Sequence, residues 1–335
     1  MTLLGTAGGP IFMTADRRGV STAVTYGDRV YIVDLGHGSV ERLVETGLVG
    51  DTLQSALMNV RAIMFTHLHS DHITEWPAVY MTGPVNTEQG GRAADPILVR
   101  GPGNRGTLPR VFPPARPAPP VVSPDDPTPG THAMTAYLRR AFASDFNDRL
   151  RDARWIDHDS VFDVQDIDIA PYWTVDESGV PPTLPRGTRI PVLVDGDVTV
   201  TATLVDHHPS APAFGYRFDT PDGSVVISGD TCPSENLIDL AQGCDYLVHE
   251  VIDEIWVDEF TSALPPEAGE ALRQHLLESH TTIAQVGTVA QHAGAKNLVL
   301  THLSPAVIPA IRFSKIRQAY DGRLHVGKDL MSLGV

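Results

Sequence analysis

The sequence predicts an α+β protein built as a four-layer αβ/βα sandwich. Two stretches rich in short strands, one in each half of the chain, supply two sheets, and segments of helical periodicity between and after the strands supply the outer layers. A third observation fixes where function sits. The apolar strand Arg61 to Phe65 runs straight into Thr66-His67-Leu68-His69-Ser70-Asp71-His72, so a ligand-rich loop lies where strand ends converge.

A first strand begins by Leu3. Val20 to Tyr26 and Arg29 to Asp34 flank Gly27-Asp28 and read as a hairpin, and Val40 to Val49 carries apolar residues at helical spacing with Gly47 and Gly50 near its end. Ile97 to Arg100 is a further strand, closed by Gly101-Pro102-Gly103. Leu108 to Gly130 is crowded with proline and lacks periodicity, which predicts an extended surface connection. From Ala133 to Trp155, Leu138, Phe142, Phe146 and Leu150 recur every four residues and predict one amphipathic helix, with Arg139, Arg140, Arg149 and Arg151 on other faces. The whole of 1–335 is read as a single domain, with 104–175 inserted as a cap over a substrate pocket. In the second half, Arg189 to Val194 and Val198 to Val205 flank the hairpin signal Asp195-Gly196-Asp197, and Ala213 to Phe218 pairs with Ser224 to Ser228. Asp245 to His249 is a strand, Thr281 to Gly294 a helix ending on glycine, and Asn297 to Thr301 a buried strand before His302.

Composition narrows the setting. The chain has 335 residues, 42% of them hydrophobic, which suits an ordinary globular core. Its formal net charge of −16, with no run of Lys or Arg, predicts that a nucleic-acid backbone is not the partner, because phosphate binding draws on a concentrated basic face. Cys232 and Cys244 are too few for a disulfide framework, which points to a reducing, cytoplasmic compartment. No stretch approaches the 18 or so apolar residues of a membrane span, and no secretory leader is expected, since a strand is read from Leu3.

The run after Phe65 packs four potential ligands into six residues. His67 and His69 reach one ion from the same side of an extended loop, while Asp71 and His72 turn toward a second position. Imidazole and carboxylate hold Zn²⁺ and similar ions and leave room for water. A merely solvated loop has no use for four such groups at this spacing.

His67-x-His69-x-Asp71-His72 resembles the metal motif of the metallo-β-lactamase superfamily. Leu4-Gly5-Thr6-Ala7-Gly8-Gly9 and Ile32-Val33-Asp34-Leu35-Gly36-His37-Gly38 resemble the two glycine turns of its branch containing ribonuclease Z and the arylsulfatase-like and phosphodiesterase-like hydrolases. The resemblance extends from residue 3 to about residue 330. It implies that Asp230, in Val226-Ile227-Ser228-Gly229-Asp230-Thr231, bridges two metals and that His302, in the last motif, completes the second site. A strand points only one of the adjacent His207 and His208 inward. The resemblance favours His207, eight residues before Gly215, with His208 as the alternative. It therefore implies a first site of His67, His69 and His207, a second of Asp71, His72 and His302, and Asp230 shared between them. Two divalent ions follow, Zn²⁺ first, with Mn²⁺ and Fe²⁺ accepting the same donors. His280 lies 22 residues before His302, as does a leaving-group histidine of the endonuclease branch, so the resemblance makes it a general acid beside Asp71 as the second catalytic candidate. A helix-capping or structural role is its alternative. His249-Glu250 resembles a pair that orients a ligand or His280.

The expected reaction is hydrolysis of a small ester-type bond by a hydroxide bridging the two metals: a sulfate, phosphodiester, lactone or carboxylic ester. The resemblance carries two other enzymes, a tRNA 3′-processing endonuclease and a mononuclear iron enzyme that oxygenates sulfur. Against the first stand the acidic charge and the lack of a basic, glycine-rich clamping arm; against the second stands the retention of every second-site ligand. A non-catalytic module would be expected to have lost ligands. Trp76, Trp155, Tyr172, Trp173 and Trp256 are candidates to line an apolar pocket, and a homodimer is implied by analogy with relatives.

Overall fold

The computed structural model describes residues 1–9, 16–50, 53–87, 95–112, 116–175 and 189–334. Part of the proline-rich connection, 113–115, lies outside them. The first half contributes β1 (Thr2–Gly5), β2 (Ser21–Tyr26), β3 (Arg29–Val33), α1 (Ser39–Glu45), β4 (Val60–Met64), α2 (Ser70–Ile73), α3 (Trp76–Asn86), β5 (Ile97–Pro102), α4 (Thr131–Ala141), α5 (Ala143–Arg151) and β6 (Phe162–Ile167). The second contributes β7 (Ile190–Asp195), β8 (Val198–Leu204), β9 (Phe214–Thr220), β10 (Gly223–Ile227), α6 (Glu235–Leu240), β11 (Tyr246–Ile252), α7 (Glu254–Ser262), α8 (Pro266–Ser279), α9 (Ile283–His292), β12 (Asn297–Ser304) and β13 (Arg323–Val326).

The six strands of the first half form one sheet in the order β1-β2-β3-β4-β5-β6, and the seven of the second form another in the order β13-β12-β11-β10-β9-β8-β7. In chain order each begins with antiparallel strands and passes to parallel strands joined through helices. Alternation along the strands sets the layers. On β3, Tyr31 and Val33 face the second sheet, where they meet Phe218, Val200 and Val248, while Val30 and Ile32 face Leu43, Trp76 and Val79 of the outer helices. On the far side Val226, Leu247 and Leu298 meet Leu237, Val286 and Val289 of α6 and α9. Each such side chain, fully buried, contributes about 1.5–3 kcal/mol against exposure. Both sheets are therefore apolar on both faces, as their parallel strands require. The four-layer αβ/βα sandwich is the observed architecture.

The stretch 104–175 does not behave as one inserted cap. Its end, β6, is the edge strand of the first sheet, paired in parallel with β5. Its helices belong to the outer layer, where Phe146 is buried beside Tyr80 and Trp76 donates its indole N–H to Thr135 at 3.0 Å. The single helix expected over Ala133 to Trp155 is two, broken at Phe142, which is 37% exposed. A four-residue spacing drifts about 40° per step on a 3.6-residue helix, so four such residues do not keep to one packed face. The expected pocket aromatics are also elsewhere. Trp76 and Trp173 are buried in the core and Tyr172 packs against it, while Trp155 stacks under Arg149 and Trp256 on Phe260. Their size and amphipathy serve packing here.

Candidate metal centre

Past β4 the backbone of Phe65 accepts a hydrogen bond from the buried Tyr216 hydroxyl at 2.7 Å, which ties the loop root to the second sheet. His67 and His69 follow in extended conformation, and the single turn of α2 brings Asp71 and His72 back toward the strand ends. Three segments of the second half reach the same place. His207 lies beyond β8, Asp230 just beyond β10, and His302 within β12. His302 holds a left-handed φ of 43°, a conformation side chains avoid and one that persists where surrounding structure imposes it.

The predicted ligands fall in two groups whose potential ligand atoms lie within 4.8 Å of one another: His67, His69 and His207; and Asp71, His72, Asp230 and His302; His280 is brought equally close to His207 and Asp230, and to Glu250 and His302. Oδ2 of Asp230 stands 3.9 Å from Nε2 of both His67 and His207, 3.3 Å from that of His72 and 3.2 Å from that of His302, so it faces both groups. His208 is outside them, its carbonyl taken by the Ser279 hydroxyl. All are buried except His69, the most accessible of the set. Nε2 of His67, Nε2 of His72 and Oδ1 of Asp230 have no hydrogen-bond partner. Buried polar atoms left so are costly, and imidazole with carboxylate is a donor set for Zn²⁺, Mn²⁺ or Fe²⁺. The residues present fit a pair of divalent ions.

Neighbours fix the rings. Asp34 accepts from His72 Nδ1, from Thr66 N and from Thr66 Oγ1, each at 2.8 Å, and His207 Nδ1 donates to the Ser279 carbonyl at 2.9 Å. With Nδ1 protonated, both rings keep an Nε2 lone pair for the centre. The first glycine turn packs against the other side. Gly9 N donates to Asp71 Oδ2 at 3.0 Å, and a Cβ on Gly8 would come within 2.2 Å of Ser304 Oγ and 2.8 Å of the His302 ring. His280 Nδ1 donates to Glu250 Oε1 at 2.9 Å, an oxygen that also accepts from Thr231 N and Thr281 N. The His280 ring lies 5.0 Å from that of His207 and 5.8 Å from that of His302.

Burial holds the His67 and His207 imidazoles well below their ordinary range, and His69 below it, which keeps them neutral as ligation demands. Against burial, the charges of His302 and His72 keep the Asp230 carboxyl well below the usual carboxylate range. His280 goes the other way: burial would lower it, but Glu250 and then Asp230 raise it to about 9. Burial is likewise outweighed at His72, which Asp230 and Asp34 raise, and at His302. Those two protons are the ones a bound cation would displace.

Asp34 is the residue that sequence reasoning overlooked. Its signal was present in the second glycine turn, an acid at the end of β3 followed by Leu35-Gly36, where a left-handed φ of 61° points it across at β4. The remaining histidines divide as structure dictates. His158 is a core ring, 4.0 Å from Phe146 and bonded to the Met81 carbonyl, and His275 lies against Ser279.

No family model matches the chain. Its sequence is 29% identical over 333 residues to the ribonuclease Z of Mycobacterium bovis (strain BCG / Pasteur 1173P2), covering 98% of this chain and 96% of that protein. Among solved structures, the short form of human tRNase Z superposes with a TM-score of 0.60 at 17% identity, covering 100% of this chain and 99% of its own. The metallo-β-lactamase fold protein YhfI of Bacillus subtilis gives 0.59 at 15% identity, covering 98% and 96%. Architecture and site together define a metal-dependent hydrolase of the metallo-β-lactamase fold. Within that fold, the relatives it is similar to in sequence carry the name ribonuclease Z.

The match to ribonucleases over nearly the whole chain overturns the expected small ester-type substrate and the exclusion of nucleic acid. A net charge of −16 is a sum over the entire molecule and does not exclude a nucleic-acid partner. A phosphate responds to charges within a Debye length, about 8 Å at physiological salt, and to any cation in the site.

Proposed function

We propose that the protein is a tRNA 3′-processing endonuclease that hydrolyses one phosphodiester with two divalent ions, Zn²⁺ first among them. The observation that carries the reading is the buried double cluster around Asp230, in a chain matched end to end by ribonuclease Z relatives. His67, His69 and His207 would hold one ion, Asp71, His72 and His302 the other, and Asp230 both. When bound, the pair supplies an activated water and neutralises charge on the scissile phosphate.

The chain's own groups do the rest. Asp34 and the Ser279 carbonyl hold the His72 and His207 rings in one tautomer. Glu250 keeps His280 protonated at neutral pH and fixes its Nδ1, so Nε2 is the atom that hands a proton to the departing oxygen. Two unpaired cysteines suit a cytoplasmic enzyme, the compartment where tRNA matures.

The test is cleavage of precursor tRNA bearing a 3′ trailer by protein loaded with Zn²⁺ or Mn²⁺, with chelator-treated protein as control. Metal-dependent release of the trailer is expected. A metal-loaded preparation that leaves the precursor intact at low and physiological salt would overturn the reading.

A further inference from the structure

Beside His69 a groove of about 390 Å³ leaves the metal centre, and six of its fourteen described lining residues are prolines. One wall comes from the connection after β5, with Leu108, Pro109, Pro127 and Pro129; the other comes from Pro209 and Pro212, which follow His207. Among the described lining residues there is no carboxylate, in a chain with 41 Asp and Glu. Arg105 is the one permanent cation among them, and it ties the walls together by donating to the Pro209 carbonyl at 2.7 Å.

The first wall is a built object. Asn104 donates to Asp126 at 2.9 Å, while its side-chain oxygen accepts from Gly106 N at 2.7 Å and Thr128 Oγ1 at 2.8 Å; Tyr137 of α4 donates to the other oxygen of Asp126. This clasp binds the start of the long connection to its end. Proline adds rigidity because its φ is fixed, and it brings no backbone N–H. The surface is therefore stiff, rich in proline hydrocarbon and short of backbone donors, unlike a phosphate site, which presents N–H groups and cations.

We propose that this groove receives the base and ribose of one unpaired nucleotide next to the scissile phosphodiester. Continuity with the metal centre carries the assignment, since His69 lines both, so a phosphate over the metals places its neighbouring nucleoside against these walls. A π-face on flat hydrocarbon accepts any base, which suits trailers of varied sequence. The inference rests on the endonuclease reading and names where that substrate's unpaired strand lies.

The experiment uses the full, metal-loaded chain and three precursor tRNAs: intact, and abasic at the nucleotide on either side of the cleavage point. With intact precursor, Leu108→Glu is expected to raise KM about tenfold with little change in kcat. One abasic substrate should raise the wild-type KM to a similar degree, and Leu108→Glu should then add nothing. Val194→Glu, which puts the same charge at a position 74% exposed on the edge strand β7, controls for general repulsion of RNA. Asn104→Ala, which releases the clasp without adding charge, is expected to raise KM in the same direction. Thermal unfolding of each variant separates misfolding from lost binding. Two results would overturn the groove: a KM for Leu108→Glu no higher than for Val194→Glu, or abasic substrates processed like the intact one. If wild-type protein cleaves no precursor at all, the endonuclease reading itself has failed.

Discussion

Asp34→Asn offers a sharp test of how the metal centre is organised. The carboxylate is buried, and its three hydrogen bonds are each 2.8 Å long. Asparagine has the same shape and can keep its oxygen on Thr66 N. Its NH₂ then faces His72 Nδ1, and a donor there drives the imidazole proton onto Nε2, the atom that points at Asp230. The second metal group loses a lone pair while the first is untouched. Loss of an orienting partner of this kind costs about 10–100-fold in metal affinity, which is about 1.4–2.7 kcal/mol. Global stability should fall by less than the several kcal/mol expected of Asp34→Ala, which strands three buried donors at about 1–3 kcal/mol each. Competition with a chromophoric chelator, read as two successive dissociation constants, is the assay. Two constants within threefold of wild type would refute the argument that Asp34 sets the His72 tautomer.

Elemental analysis of protein purified without chelator should find close to two divalent ions per chain, and one ion with His302→Ala unchanged in content would contradict the two-group arrangement. His280→Ala should keep both ions and lose about 10²-fold in kcat, with the smallest loss on substrates carrying good leaving groups; equal loss on all substrates would return His280 to a structural role. Gly9→Ala puts a methyl 2.3 Å from Asp71 Cβ, so it should weaken the second ion's binding and lower turnover at limiting metal, and wild-type behaviour would mean the turn is slack. Asp195, at the β7–β8 turn, accepts from Arg61 and Tyr31 of the other sheet at 3.0 and 2.8 Å, and its carboxyl is held below the usual range against burial by those bonds. A depressed carboxylate stabilises above the unfolded value of about 3.9 and loses that contribution as pH falls through its folded value. Asp195→Asn should therefore lower Tm by a few degrees at pH 7, about 1 kcal/mol for a partly exposed group, with the gap closing below pH 3; a gap constant with pH would mean the charge is irrelevant.

Strand-to-loop junctions were the most legible part of this sequence. The run from Arg61 to His72 announces itself because a buried strand needs an apolar run and ligands cannot be apolar. The hairpins at Gly27-Asp28 and Asp195-Gly196 are as plain, since each turn demands a left-handed glycine, found at φ 61° and 60°. The helices α3, α6, α7 and α8 left weaker traces. Pro84 inside α3 reads as a breaker, yet the helix continues past it to Asn86. β6 was hidden by its polar residues Asp163, Gln165 and Asp166, tolerable on an edge strand. Asp34 acts through another side chain, and spacing along the chain carries no record of a partner 38 residues away; Glu250 was legible only through the resemblance of His249-Glu250 to an orienting pair. Substrate class was the least legible, because it depends on how charge is distributed in space.

The division of ligands between the halves has a thermodynamic corollary. Each cluster takes two members from before residue 73 and two, counting Asp230 in both, from after residue 206. Neither sheet alone can close a coordination shell, so an ion is captured only by the docked sandwich. Metal then behaves as a rivet between two sheets that otherwise meet through apolar packing. Each tenfold excess of free ion over its dissociation constant adds about 1.4 kcal/mol to the docked state for every ion bound. With ions bound there, the free metal concentration would set how tightly the two halves stay closed.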